Sequence, residues 1–362
     1  MKIIYLSILC VLAIFLPANS SMAEERAYEV QERVALSPPA PTGTSRLKLM
    51  DISFISLFTA GASTASEGSI DKLHGGAHDP KRRGFTVQNL ELSMQGAVDP
   101  SLNGEVHLIF QIDKEGESRL EVEEAFLTTR TLPYGLQIKA GTYFTEFGRL
   151  NTHHPHSWFF VDQPVINTRL LGGDGLRGPG GRLSWLTPLP WYAEFIAGVQ
   201  NAFGETAFSF LSTTEEVDFA GYTITERDVK SLGDLLYSVR VLNSFSPGEA
   251  VSLNAGASAL FGPNGTGTDN RTAIYGADLY LKWTPPVNER GFPFLAVQTE
   301  VMKRNYEAGA AKDALDDWGL YIQTLWGFKR GWVAGIRYDL TVMVTATRMI
   351  SCVTEDTVSP RT

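Results

Sequence analysis

The sequence predicts an all-β protein, an antiparallel up-and-down transmembrane β-barrel that is incomplete at its C-terminal end. Three features point there. Segments in which apolar and polar residues alternate with period 2 recur from Leu47 onward, as strands with one greasy face require. The connections between them are in turn brief and long, which suits the two rims of a barrel. Trp185, Trp191, Tyr192, Trp283, Trp318, Trp326 and Trp332 sit at or near segment ends, where an outer-membrane barrel places its interfacial girdle.

Taken in order, the chain opens with Lys2, an apolar run from Ile3 to Leu16, a breaker at Pro17 and small residues ending in Ser21-Met22-Ala23. This is the pattern of a secretory signal peptide cleaved after Ala23, so residues 1–23 read as an export signal and the mature chain is expected in the cell outer membrane. Residues 24–46, with the stretch Ser37-Pro38-Pro39-Ala40-Pro41-Thr42-Gly43, read as a flexible periplasmic lead-in. Residues 47–340 then hold about thirteen strands.

The clearest strand runs from Gly104 to Asp113. Val106, Leu108, Phe110 and Ile112 alternate with Glu105, His107, Gln111 and Asp113, and Ile109 is the one apolar intruder. The strand before it sets Leu90, Leu92 and Met94 against Asn89, Glu91, Ser93 and Gln95, and Asp99-Pro100-Ser101 supplies the hairpin turn. Ile52–Ala60 precedes this pair. Leu120–Arg130, Leu136–Phe144, Arg182–Leu186, Trp191–Gln200, Leu235–Phe245, Val251–Phe261, Ala273–Trp283, Phe294–Arg304, Trp318–Phe328 and Trp332–Leu340 follow it.

Charge and cysteine content narrow the class further. The chain carries 31 Lys and Arg against 40 Asp and Glu, a net charge of −9. Nucleic acid is therefore not an expected partner, since its binding draws on clustered cations. The two cysteines are Cys10, in the signal peptide, and Cys352, so the mature chain has no intramolecular disulfide.

The faces that alternation turns inward carry Glu91, Glu105, His107, Asp113, Glu121, Glu123, Glu194, Asp278, Glu300 and Asp339. Lys139, Arg182, Arg240, Lys282, Arg304 and Arg337 accompany them. In a barrel these residues line a wet lumen, and their acidic balance favours cations weakly.

The stretch from Phe144 to Leu186 is too rich in Gly, Pro and His to be one regular element. It reads as a long structured loop that lines or constricts the lumen, with Glu146, Arg149, Asp162, Asp174 and Arg177 as its charged residues. Three of the six histidines, His153, His154 and His156, fall within it. Imidazoles at such spacing can ligate zinc, although loop packing and hydrogen bonding are the favoured reading and no cofactor is required. His74 and His78, in another long loop, join them only if the fold brings the two loops together. The run Gly172–Gly181 lacks the Lys-Ser/Thr ending of a phosphate loop and reads as turns with positive φ. No nucleophile, metalloprotease or paired-carboxylate motif stands out, so an enzyme is not expected.

Phe144-Thr145-Glu146-Phe147-Gly148-Arg149-Leu150-Asn151, His154-Pro155-His156-Ser157-Trp158, Val161-Asp162-Gln163-Pro164 and Gly172-Gly173-Asp174-Gly175-Leu176-Arg177-Gly178-Pro179-Gly180 carry a resemblance. They resemble a group of Gram-negative outer-membrane barrels. Some members are labelled zinc-regulated TonB-dependent outer-membrane receptors, and the group is similar to porins of the phosphate-selective type. The resemblance implies a porin-like channel passing small polar solutes or ions, with outer-membrane lipid and the barrel assembly machinery as partners. Its alternatives are a zinc-linked uptake receptor and a structural or adhesive surface barrel; a homo-oligomer is left open.

Two features depart from those relatives: about two dozen residues precede the first strand where a TonB-dependent receptor carries a plug, and the inward faces lack the lysines of a phosphate pore. Residues 341–362 read as an aberrant tail. Thr341-Val342-Met343-Val344-Thr345-Ala346-Thr347-Arg348 is what a frame shifted by one would give from the codons of an Asp-Gly-rich loop. The expectation is a frameshift near Leu340 that replaced the closing strands.

Overall fold

The computed structural model describes residues 50–343 apart from 65, 67–69, 71–75, 80–82, 113–115, 203–204, 211–216 and 226. The expected signal peptide, the lead-in before residue 50, Asp113, His74 and the tail beyond Met343 lie outside the described residues.

Among the described residues fifteen strands follow one another: β1 (Asp51–Gly61), β2 (Gly84–Asp99), β3 (Leu102–Ile112), β4 (Ser118–Thr129), β5 (Leu136–Phe144), β6 (Arg177–Leu186), β7 (Tyr192–Gln200), β8 (Val217–Phe219), β9 (Tyr222–Ile224), β10 (Leu236–Phe245), β11 (Val251–Pro263), β12 (Arg271–Trp283), β13 (Phe294–Ala308), β14 (Asp313–Lys329) and β15 (Trp332–Met343). Thirteen form one sheet in chain order, and β8 with β9 makes a separate ribbon in the β7–β10 connection. Each strand of the large sheet pairs antiparallel with the next, the up-and-down order that the alternating short and long links imply.

Side-chain alternation decides which face each residue takes. Along β14, Leu315, Asp317, Gly319, Tyr321, Gln323, Leu325 and Gly327 are buried, while Trp318, Ile322, Trp326 and Phe328 are exposed. The outer face is thus the greasy one. Phe54, Leu120, Val122, Leu183, Phe195, Val239, Tyr275, Val301 and Ile336 continue it around the sheet. Such a continuous exposed apolar surface is untenable in water and fits a hydrocarbon surround. Trp185, Trp191, Trp283, Trp326 and Trp332 are exposed beside the short turns at one rim, the position of an interfacial girdle.

The sheet curls on itself. Val161 accepts a hydrogen bond from Gln88 Nε2 of β2 at 2.5 Å, and the neighbouring Asp162 receives Arg337 Nη2 of β15 at 2.7 Å. Two adjacent residues can touch strands so close to opposite ends of a thirteen-stranded sheet only if those ends approach each other. Among the described residues the outer edges of β1 and β15 carry no paired strand. The described residues thus form an antiparallel barrel whose seam between β1 and β15 is not hydrogen-bonded among them.

Several boundaries differ from those the sequence suggests, among them the end of β13, at Ala308 rather than Arg304, and the start of β14, at Asp313 rather than Trp318. β6 starts at Arg177 rather than Arg182, because Gly180 leaves room for the Gln200 side chain, which donates to the carbonyls of Tyr143 and Gly178 at 3.0 and 2.9 Å, and Gly178 leaves room for the Asn201 carbonyl. β15 runs on to Met343, three residues past Leu340. A short helix, α1 (Val165–Leu171), interrupts the loop between β5 and β6.

Candidate functional site

Residues 145–176 leave β5, fold against the inward face of the sheet and return at β6. Gly148 begins the descent at φ 60°, where a Cβ would strike the Glu300 carboxylate. With no side chain there, Glu300 Oε1 of β13 accepts the backbone N–H groups of Arg149 and Leu150 at 3.2 and 2.7 Å, and Gly148 donates to Ser258 Oγ at 3.2 Å. Asp339 Oδ1 of β15 accepts the N–H of Val165 at 3.1 Å. Helix α1 then buries Ile166, Leu170 and Leu171 together with Phe147, Leu176, Phe210 and the inward Leu236, Leu260, Ile274, Met302 and Tyr321. The half of the interior nearer the long loops is an apolar core, because alternation reveals which face points inward but not what covers it.

On the other side of the segment lies a cluster of imidazoles and carboxylates. β4 carries a bulge, with His107 opposite Glu124 and Leu108 opposite Val122. Glu123 is the inserted residue, so Glu123 and Glu124 both turn inward, 1% and 7% exposed. His154 fills the gap, its Nδ1 at 2.8 Å from Glu123 Oε2 and its Nε2 at 3.0 Å from Glu124 Oε2.

The neighbouring strands complete the cluster. The carboxylate of Glu91 on β2 faces three Nδ1 atoms, those of His107, His154 and His156, at 2.9, 3.4 and 3.0 Å. His107 Nε2 meets Glu105 Oε1 at 2.8 Å, and Ser93 donates to Glu91 at 2.8 Å. The rings of His107 and His154 lie 4.5 Å apart.

The sequence-predicted residues divide accordingly. Glu91, Glu105, His107 and Glu123 join the cluster. Of the three loop histidines, His154 and His156 reach it, whereas His153 Nδ1 turns back to the carbonyl of Arg149 at 2.6 Å. His78 is brought to the cluster's edge, with Nε2 at 3.7 Å from Glu123 and 3.8 Å from Asp174. Glu124 was missed, since strict alternation turns it outward.

The remaining inward charges are mostly paired and buried. Arg240 binds Asp278 through both terminal nitrogens at 2.7 and 3.0 Å, Arg304 pairs with Asp317, and Arg337 bridges Asp162 and Asp339. Arg177 pairs with Glu121 and Arg182 with Glu146. Lys139 lies over the Phe126 ring at 4.0 Å, Lys282 over Phe294 at 5.5 Å and Arg149 over Tyr280 at 4.1 Å. Glu194 accepts the Tyr192 hydroxyl. The Gly172–Gly181 run has positive φ at Gly172 and Gly175 and enters β6 from Arg177, so it is turn and strand.

An outward apolar belt with an aromatic rim, a charged interior and an in-folded segment define a transmembrane β-barrel of outer-membrane type. The chain belongs to one family with an uncharacterized protein of Aquifex aeolicus (strain VF5). The two are 30% identical over 357 residues, 90% of this chain and 70% of that one. No protein-family model matches the chain. Among solved structures it is similar to the OmpT loop L8 deletion mutant of Vibrio cholerae, at TM-score 0.37 and 10% identity, over 82% of this chain and 100% of that one. It is also similar to the outer membrane channel DcaP of Acinetobacter baumannii, at TM-score 0.36 and 12% identity, over 84% and 100%. A third is the anion-selective porin from Comamonas acidovorans, at TM-score 0.33 and 9% identity, over 82% and 100%.

Proposed function

We propose that the chain forms a porin-like outer-membrane channel for small polar solutes or ions, restricted by residues 145–176 and without enzymatic activity. The observation that carries this reading is the in-folded segment, held at Glu300, Asp339 and Arg337 inside a barrel whose outer face is apolar. A loop anchored in this way sets the width of a lumen. A second reading, a metal-linked uptake barrel, is favoured by the imidazoles gathered on Glu91.

Single-channel recording in planar bilayers tests the first reading. The unaltered barrel should give small, steady steps, and Glu300→Ala, which loosens the segment, should give larger ones. Absence of conductance in both, in preparations that show the heat-modifiable gel mobility of a folded barrel, would overturn it.

A further inference from the structure

We propose that Glu91, His107, His154 and His156 form a binding site for a divalent first-row transition-metal ion of the zinc and cobalt class, joining the in-folded segment to β2 and β3. Among the described residues, Glu91, His107 and His154 each offer a ligand atom within 4.8 Å of the others. Donors about 2.0–2.2 Å from one tetrahedral ion lie about 3.3 Å from each other. The Glu91 oxygens already stand 2.9, 3.4 and 3.0 Å from the Nδ1 atoms of His107, His154 and His156.

The orientation of the rings is the second observation. His107 and His154 turn Nδ1 toward Glu91 and commit Nε2 to other carboxylates, Glu105 at 2.8 Å and Glu124 at 3.0 Å. Metal-bound histidines are held in this manner, the distal nitrogen fixed by a carboxylate so that the near one faces the ion. The third observation is a second carboxylate at the same nitrogen. Glu123 Oε2 lies buried 2.8 Å from His154 Nδ1, so a cation there would have a further anionic oxygen within reach. Imidazole and carboxylate together favour Zn2+ and its neighbours over Ca2+ or Mg2+, which take oxygen alone.

The ion would tie residues distant in sequence, so its presence should stiffen the segment as well as fill the site. Titration of the refolded, detergent-solubilised chain with Co2+ gives a direct readout in visible absorption. We expect one Co2+ per chain, displaced by Zn2+. Glu91→Gln and His156→Ala should each weaken binding at least about tenfold, and Glu105→Gln, acting through His107, by roughly 10–100-fold. His153→Ala, whose ring bonds the Arg149 carbonyl, should bind as the unaltered protein does. His156 is partly exposed, so His156→Ala keeps the test usable if Glu91→Gln fails to give the mobility of a folded barrel. No uptake by the unaltered chain, uptake that His156→Ala leaves within twofold, or uptake lost on replacing His153 would each overturn the assignment.

Discussion

Glu300 is the residue whose replacement most directly tests how the segment is held. Its side chain is 1% exposed, and Oε1 accepts the N–H groups of Arg149 and Leu150 and the Tyr321 hydroxyl at 3.2, 2.7 and 2.8 Å. Glu300→Ala removes the acceptor and leaves two backbone donors buried. Each orphaned donor costs about 1–3 kcal/mol, so the turn should lose about 3 kcal/mol if water partly reaches the vacated space. At about 1.4 kcal/mol per factor of ten, that is roughly a hundredfold increase in local opening. Amide hydrogen exchange at Arg149 and Leu150 in detergent reads it directly. Amides of β11, paired in the sheet on both sides, should exchange unchanged. Glu300→Gln retains a carbonyl acceptor and should show a smaller effect. Exchange at Arg149 and Leu150 within twofold of the unaltered protein would refute the claim that this carboxylate holds the turn.

Four further outcomes are expected. Gly148→Ala places a Cβ at φ 60° against Glu300 and should destabilise the segment by at least about 1–2 kcal/mol, seen as faster proteolysis within residues 145–176. Arg240→Ala leaves Asp278 buried without its bidentate partner and should cost about 3–5 kcal/mol in urea unfolding from lipid vesicles; adding Asp278→Ala should restore most of it. Ile322→Arg, outward near the middle of β14, should cost about 2–4 kcal/mol in lipid, whereas a water-facing surface would make the change nearly neutral. In the loop before β10, Arg227, Ser231 and the N–H of Lys230 hold the Asp234 carboxyl down at about 2, below its ordinary 3.8. A lowered acid stabilises the fold when ionised. The contribution is therefore present above pH 3.8 and lost as pH falls through about 2, which carboxyl carbon shifts should follow.

The strands and their faces were legible because period 2 is a local property: each Cβ alternates whatever the distant chain does. What lies over the inward face is not local. Ile109, read as an intruder in an otherwise polar row, is fully buried, and Leu236, Leu260 and Ile274 share one apolar cluster with Ile166, Leu170 and Leu171 of α1, a helix too short to display a helical period. The histidines show the same division. Their crowding marked the segment, but the choice of His154 and His156 over His153 depends on turns at Leu150–Thr152 and Pro155–Ser157, where one residue decides whether a ring faces β2 or the backbone.

Glu123 and Glu124 show how more of the site could have been read. Two adjacent acids in a membrane-spanning strand cannot both face inward under strict alternation, and the one left outside would meet hydrocarbon beside Leu120 and Val122. A bulge resolves that conflict by giving both residues the same face. Gln88 and Asn89 pose the same problem on β2. They too are both buried, beside the irregularity in register at Leu57 and Phe58. At both places a pair of polar neighbours between outward apolar residues coincides with a bulge. At Glu123 and Glu124 that bulge supplies the two carboxylates that position His154, so the sequence feature that breaks the strand pattern is also the one that builds the site.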